Sequence, residues 1–259
     1  MNTVNTLIEK INAAKALDFG NIFSESIELF KKTWLQGFLL QLFTFIVMLP
    51  LIIVLYVPLI GLVLAQQEGG YNNGAVENFI AGISLFYVLF VIVGILVLGT
   101  ISLGLNAGFY RIMKKLDNNE QTSASDFFYF IKAKYLSKIF MLMLASVGIS
   151  ILAALLCYFP VFYVVIPLTY FAVIFAFNPD LSVGEIVKAS FKLGNKKWFL
   201  TFGLVIVSSF LAQIVGFLAC GIGVLFTATF VYHPIYLIYK EVVGFEETNA
   251  IDEIGLIEE

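Results

Sequence analysis

The stretch IFMLMLASVGISILAALLCYFPVFYVVIPLTYFAVIFAFNP, residues 139–179, runs for 41 residues without one Asp, Glu, Lys or Arg. A helix crosses the hydrocarbon core of a bilayer in about 20 apolar residues, at ~1.5 Å of rise each. This run is therefore long enough for two crossings. Phe159-Pro160 marks the turn between them, because proline disfavours helix in the residue before it. The same pattern recurs downstream. Residues 198–239 form a second charge-free run, 42 long, which Gly221-Ile222-Gly223 divides.

Upstream, the uncharged runs 33–67 and 78–110 are 35 and 33 residues long, each one generous span. The first contains Pro50 and Pro58 and is expected to kink or be interrupted. The spacing predicts spans near 36–62, 80–108, 139–158, 161–178, 198–219 and 222–240. The fold class is all-α: a polytopic integral membrane protein with six transmembrane helices. Composition agrees, with 60% of residues hydrophobic, 13% charged and a mean hydropathy of +0.96. Soluble domains carry roughly a quarter charged residues, and this chain lacks the polar groups to cover a soluble surface.

Charge sets the orientation. All 15 Lys and Arg fall in the amino-terminal segment, the 111–138 loop, the 188–197 segment or at Lys240. Under six crossings these four regions share one side, and the loop 66–79 opposite carries only Glu68 and Glu77. Basic residues near span ends stay cytoplasmic, so both termini are expected in the cytoplasm and the protein in a bacterial inner membrane. Glu9, Lys10, Lys15 and Asp18 occupy the place of a signal-peptide apolar region, which makes the first span an uncleaved anchor. Seven acids from Glu241 to Glu259 form an acidic cytoplasmic tail after a single membrane domain, 1–240. The scattered basic residues suit anionic lipid head groups and give no reason to expect nucleic acid.

A repeat lies beneath this plan. With a constant offset of 164, Ser26, Leu29, Lys32 and Trp34 recur as Ser190, Leu193, Lys196 and Trp198. Phe23, Ile27, Phe30 and Trp34 make one helical stripe, with Glu25, Glu28, Lys31 and Lys32 elsewhere around it. Such a helix lies in the interface, and Trp34 and Trp198 are expected as its head-group anchors. Phe127, Phe130, Ile131 and Tyr135 offer a looser third copy. Ser123 with Asp126, and Ser182 with Glu185, read as capping-box helix starts. The expected organisation is three units, about 18–110, 122–178 and 182–240, each a cytoplasmic interfacial amphipathic helix followed by two spans.

Small residues at four-residue spacing predict packing faces: Thr100, Gly104, Gly108; Ser146, Ser150, Ala154; and Ser208, Ala212, Gly216, Cys220. No charged residue lies inside a predicted span, which counts against an ion-coupled carrier. The intramembrane polar residues are Gln41, Asn106, Gln213 and His233, a candidate polar site that ordinary interhelical bonding also explains. His233 has no ligand-forming neighbour in sequence, so neither a metal site nor any cofactor is expected. Tyr232, Tyr236 and Tyr239 share a face and suggest interfacial anchors. Cys157 and Cys220 both follow the first span of a pair; two packed thiols are preferred over a bridge. Hydrolase, Walker and metalloprotease motifs do not occur, and no catalytic residue is expected.

The amphipathic helix ending in Lys-x-Trp before a span pair, Ser26 to Trp34 and Ser190 to Trp198, resembles a loose group of uncharacterised prokaryotic six-span membrane proteins. That group includes the membrane domain fused to some bacterial glycerophosphodiester phosphodiesterases. The resemblance implies architecture and, without a hydrolase domain here, transfers no catalytic residue. The expected function is non-enzymatic: organising or assisting a membrane partner or a lipid process. Membrane lipids, a protein partner or a homo-oligomer are the expected contacts. The alternative is a transporter or channel subunit for a neutral or apolar solute, resting on internal repetition and on Gln41, Asn106 and Gln213 at depth.

Overall fold

The computed structural model describes residues 3–69, 85–156 and 159–245, and every regular element among them is helical. In chain order these are α1 (Val4–Ala13), α2 (Phe19–Gly69), α3 (Leu85–Asp117), a 3₁₀ turn (Ala124–Phe128), α4 (Ala133–Leu155), α5 (Phe159–Phe177), α6 (Val183–Lys196) and α7 (Trp198–Leu218). The last apolar segment is divided into α8 (Val224–Thr227), a second 3₁₀ turn (Ala228–Val231) and α9 (Tyr232–Val242). Among the described residues, five helical stretches are long and apolar enough to cross a membrane: Phe19–Gly61, Tyr87–Asp117, Ala133–Leu155, Pro160–Phe177 and Trp198–Leu218.

Two regions differ in packing. The first is a dense core, where most of residues 104–113 of α3, most of α5, the inner face of α6 and nearly all of α9 are buried. Leu7 and Ile11 of α1 and Ile22 and Leu29 of α2 complete it. The second is an arm, the distal half of α2 against the first half of α3. Here Gly94 lets α3 approach Leu51, and the Tyr87 hydroxyl donates to the Val54 carbonyl at 3.3 Å. Its other faces are bare: Phe45, Ile53, Tyr56, Ile60, Leu85, Phe90 and Val93 are all at least half exposed. Exposed apolar side chains at this density need lipid around them.

Several expectations change. The first amphipathic stretch is no separate interfacial helix but the opening turns of α2, 51 residues long or about 77 Å. Asp18 caps its start, its carboxylate accepting from the Asn21 N–H at 2.8 Å, and Pro50 and Pro58 are carried inside it. The middle copy is not an amphipathic helix either. Ser123 and Asp126 form their capping box, but the helix they begin is only a 3₁₀ turn, and Lys132 (φ −93°, ψ 149°) separates it from α4. The second copy does form a discrete helix, α6, with the Ser182–Glu185 box at its start. The predicted sixth span, 222–240, is interrupted near its middle by the 3₁₀ turn 228–231.

The turn after α7 falls where expected. α7 ends at Leu218, and Cys220 (φ +57°) and Gly221 (φ +79°) reverse the chain in left-handed conformations that glycine adopts freely. The ladder Ser208, Ala212, Gly216 is buried, whereas Cys220 is exposed. A Cβ on Gly216 would lie 2.7 Å from the Val224 nitrogen, so only glycine permits that close return. Thr100, Gly104 and Gly108 are buried too, Gly108 against the Phe127 carbonyl; Ser146, Ser150 and Ala154 are only half-buried. Cys157 and the tail beyond residue 245 lie outside the described residues, as does most of the 66–79 loop.

Candidate functional site

The polar side chains of α9 make the densest network among the described residues, and each reaches a different neighbour. α9 is central, touching α2, α3, α5 and α7. His233 is fully buried. Its Nε2 lies 2.6 Å from Thr33 Oγ1 of α2, and its Nδ1 lies 3.1 and 3.2 Å from the Thr229 and Phe230 carbonyls. Two carbonyl oxygens at Nδ1 require a proton there, which leaves Nε2 to accept from the Thr33 hydroxyl in the neutral ring. Phe30 and Phe109 meet the imidazole edge-on, with centroids 5.4 and 6.2 Å away.

Towards the carboxyl end of α9, Lys240 Nζ donates to Asp117 Oδ2 at 2.7 Å, and the Tyr236 hydroxyl donates to the same oxygen at 3.1 Å. Asp117 closes the last turn of α3, so this pair fastens α3 to α9 at the base of the arm. Just past the end of α5, Asn178 donates to the Tyr239 hydroxyl at 2.8 Å and to the Ile174 carbonyl at 3.0 Å. Asn106 of α3 lies beside the Tyr232 hydroxyl. Phe245 covers this end, 4.6 Å from Phe177 and 5.5 Å from Tyr236 between centroids.

The four sequence candidates therefore separate. Asn106 and His233 both belong to the α9 network. Gln41 is half-buried on α2, and Gln213 is exposed on α7. Tyr236 and Tyr239 are buried rather than interfacial, and Tyr232 is half-buried. Of the two tryptophans, Trp34 is about half exposed against Phe226. Trp198 is half-buried, stacked on Phe202 and donating to the Tyr163 carbonyl at 3.1 Å. Sequence reasoning passed over Thr33, Asp117, Asn178 and Lys240. A signal existed: Tyr232, Tyr236, Tyr239 and Lys240 share one helical face, and a face so rich in hydroxyls needs partners if it is buried.

A second polar junction ties the amino-terminal segment to α6. Lys196 Nζ donates to the Asn12 carbonyl at 3.3 Å, Lys197 Nζ donates to the Lys15 carbonyl, and the Tyr163 hydroxyl donates to Asn195 Oδ1 at 2.6 Å. Burial, and then the neighbouring Lys196 charge, lower the pKa of Lys197. Beside α3, Arg111 lies 3.7 Å over the Tyr129 ring, and Lys115 donates to Asp126 at 2.9 Å. Partial burial pushes the Asp126 carboxyl up. The bonds from Lys115 and the Ser123 N–H, with the Lys115 and Arg111 charges, outweigh this and hold it below the usual carboxylate range.

Chemically, these arrangements hold helices together. Both nitrogens of His233 are engaged, and the Asp117 carboxylate is shared between Tyr236 and Lys240. Among the described residues no three His, Cys, Asp or Glu side chains gather as metal ligands. The groove between α2 and α7, about 170 Å³, is lined by Ile27, Phe30, Leu211, Ala212, Val215 and Thr227, with Phe230 at its end. No protein-family model, curated protein or solved structure matches this chain.

Proposed function

We propose that this is an inner-membrane protein with both termini and its basic faces in the cytoplasm, which organises or assists a membrane partner or a lipid process without catalysing a reaction. Its six apolar segments form three hairpins, 36–62 with 80–108, 139–158 with 161–178 and 198–219 with 222–240, each based on the cytoplasmic side. The positive-inside distribution of all 15 basic residues supports that orientation. The likeness to the prokaryotic group that includes phosphodiesterase membrane domains belongs to the same proposal.

One observation carries the functional reading. Buried polar side chains hold α9 to its neighbours: Thr33 of α2, Asp117 of α3 and Asn178 just past α5 each bond a residue of it. A carrier site for a neutral solute needs convergent polar groups facing a cavity. Here the groove between α2 and α7 is apolar, and Gln213 faces outward. The bare arm and the exposed lysines instead present surfaces to lipid and to partners.

Native mass spectrometry of the protein released from gently solubilised membranes tests the reading. A retained protein or specific lipid is the expected result. Saturable movement of a solute into liposomes by the pure protein, lost in Gln213→Leu, would replace it with the transporter reading.

A further inference from the structure

The second hairpin does not pack as a membrane crossing should. α6 runs back along α5 in the antiparallel sense for nearly its whole length. The turn begins where the Leu181 N–H meets the Asn178 carbonyl. Further along, a Cβ on Gly194 would be 2.8 Å from Pro167 Cα, and Asn195 meets Tyr163. The 14 residues of α6 cover about 21 Å, the same length as α5 from Tyr163 to Phe177. α6 is amphipathic: Ile186, Ala189, Ser190 and Leu193 face α5 and the core, while Lys188, Lys192 and Lys196, four residues apart, are exposed on the other side.

A stripe of exposed lysines cannot face the hydrocarbon core. α5 is therefore flanked by a helix that stands in water or among head groups from residue 177 back to residue 163. Burial agrees: 56% of the apolar window of α5 lies inside the protein, against 6–28% in the other four candidate spans. Only Phe159 to Phe162 project past the charged helix, about 6 Å of chain. Together with the end of α4 they form an apolar tip, with Leu152 63%, Leu155 75%, Leu156 66% and Phe162 66% exposed. At the base of the hairpin Lys138 Nζ donates to the Pro179 carbonyl, joining the start of α4 to the end of α5 on the basic side.

We propose that α4 and α5 form a re-entrant hairpin that enters and leaves the cytoplasmic leaflet, its tip among the acyl chains and the lysines of α6 at the head-group phosphates. A tip of this height fits one leaflet, about 15 Å of hydrocarbon, and not a whole bilayer of about 30 Å. The lysines at its rim complement anionic lipid. Because the hairpin turns back, the parity of the chain and the cytoplasmic carboxyl terminus are unchanged. The inference rests on the orientation proposed above and replaces the two crossings that the sequence led us to expect over 139–178.

The test places a nitroxide at Leu155, and separately at the exposed Leu152, in a Cys157→Ser, Cys220→Ser background. The protein is reconstituted in phosphatidylethanolamine–phosphatidylglycerol vesicles, and collision with oxygen is compared with collision with a water-soluble nickel chelate. A re-entrant tip gives oxygen-dominated collisions at both positions and a depth within one leaflet. Nickel-dominated collisions at both, as at the far end of a complete crossing, overturn the proposal. A Lys192→Cys variant in the same background reports orientation through a membrane-impermeant maleimide. Label reaching it only from the outside means that the orientation has failed, independently of the depth result.

Discussion

Ser26–Trp34 and Ser190–Trp198 are related sequences with different fates. In both, the matched serine is completely buried, and Leu29 and Leu193 are buried with it. Yet the first copy runs without interruption into α2, and the second stops at Lys197 (φ −117°, ψ 22°) before α7 begins. The differing residues explain this. Gly194 stands where the first copy has Phe30, and only a residue without a side chain lets α6 fold down onto Pro167. Phe30 instead fills space against Phe230 and His233, with both centroids 5.4 Å away. Lys197 stands where the first copy has Thr33. The threonine sits inside a continuing helix and meets His233 Nε2 at 2.6 Å, whereas the lysine reaches out to Lys15. One amphipathic pattern thus serves as the root of a long arm in one place and as a shield along α5 in the other.

Exchanging residues between the copies tests this account, and Gly194→Phe should have the largest effect. Its Cβ would meet Pro167 backbone atoms within 3.0 Å, so α6 must move away at a cost of about 3 kcal/mol. Thermal unfolding in detergent should show the loss; an unchanged midpoint would mean that the close approach does not matter. Phe30→Gly should follow at roughly 2–3 kcal/mol, since the ring is half-buried and glycine also weakens a helix. Hydrogen exchange should then rise at the start of α2 more than in α6.

Thr33→Val keeps the shape and removes the hydroxyl that pairs with His233 Nε2. An orphaned buried ring nitrogen costs about 1–3 kcal/mol. Loss of the same size in His233→Ala and in the double variant would show that the two residues act as a unit. If the single losses add instead, the bond contributes nothing.

The smallest effect belongs to the abortive middle copy. Asp126 has its carboxyl pKa depressed in the folded state, so its contribution is present above the unfolded value near ~4 and is lost as pH falls through the folded value. The side chain is mostly capping a short turn and is partly solvated, so the contribution is at most about 1 kcal/mol. Asp126→Asn should flatten the acid limb of the stability profile and leave neutral pH little changed. An unaltered acid limb would assign the pH dependence to other carboxylates.

The helical class and the positions of the long helices were legible in the sequence because charge-free runs report the solvent directly. The turn at Gly221 was legible for the same local reason, whereas Pro160, expected to break the chain, lies in the first turn of α5. The packing of α6 along α5 was not, since an amphipathic helix has the same pattern whether it lies on lipid or on another helix. Gly194 was the one available hint, a glycine on the buried side of an otherwise ordinary stripe. The α9 network was half visible: Asn106 and His233 were singled out, but Asp117 and Lys240, 123 residues apart, read as loop charges until the fold joined them. Gln213 was selected for its polarity, and its direction on α7 could not be read from period alone, because neighbours of mixed size surround it.

The most direct test of the central claim, that the charged faces of α2 and α6 lie in the cytoplasm while the tip of the arm reaches the opposite side, is sided labelling of single cysteines. Glu28→Cys, Lys192→Cys and Glu77→Cys, each in the Cys157→Ser, Cys220→Ser background, would be treated with an impermeant maleimide in right-side-out and inverted vesicles. The account predicts that positions 28 and 192 label only in inverted vesicles and position 77 only in right-side-out ones. Labelling of position 28 or 192 from the outside would contradict it.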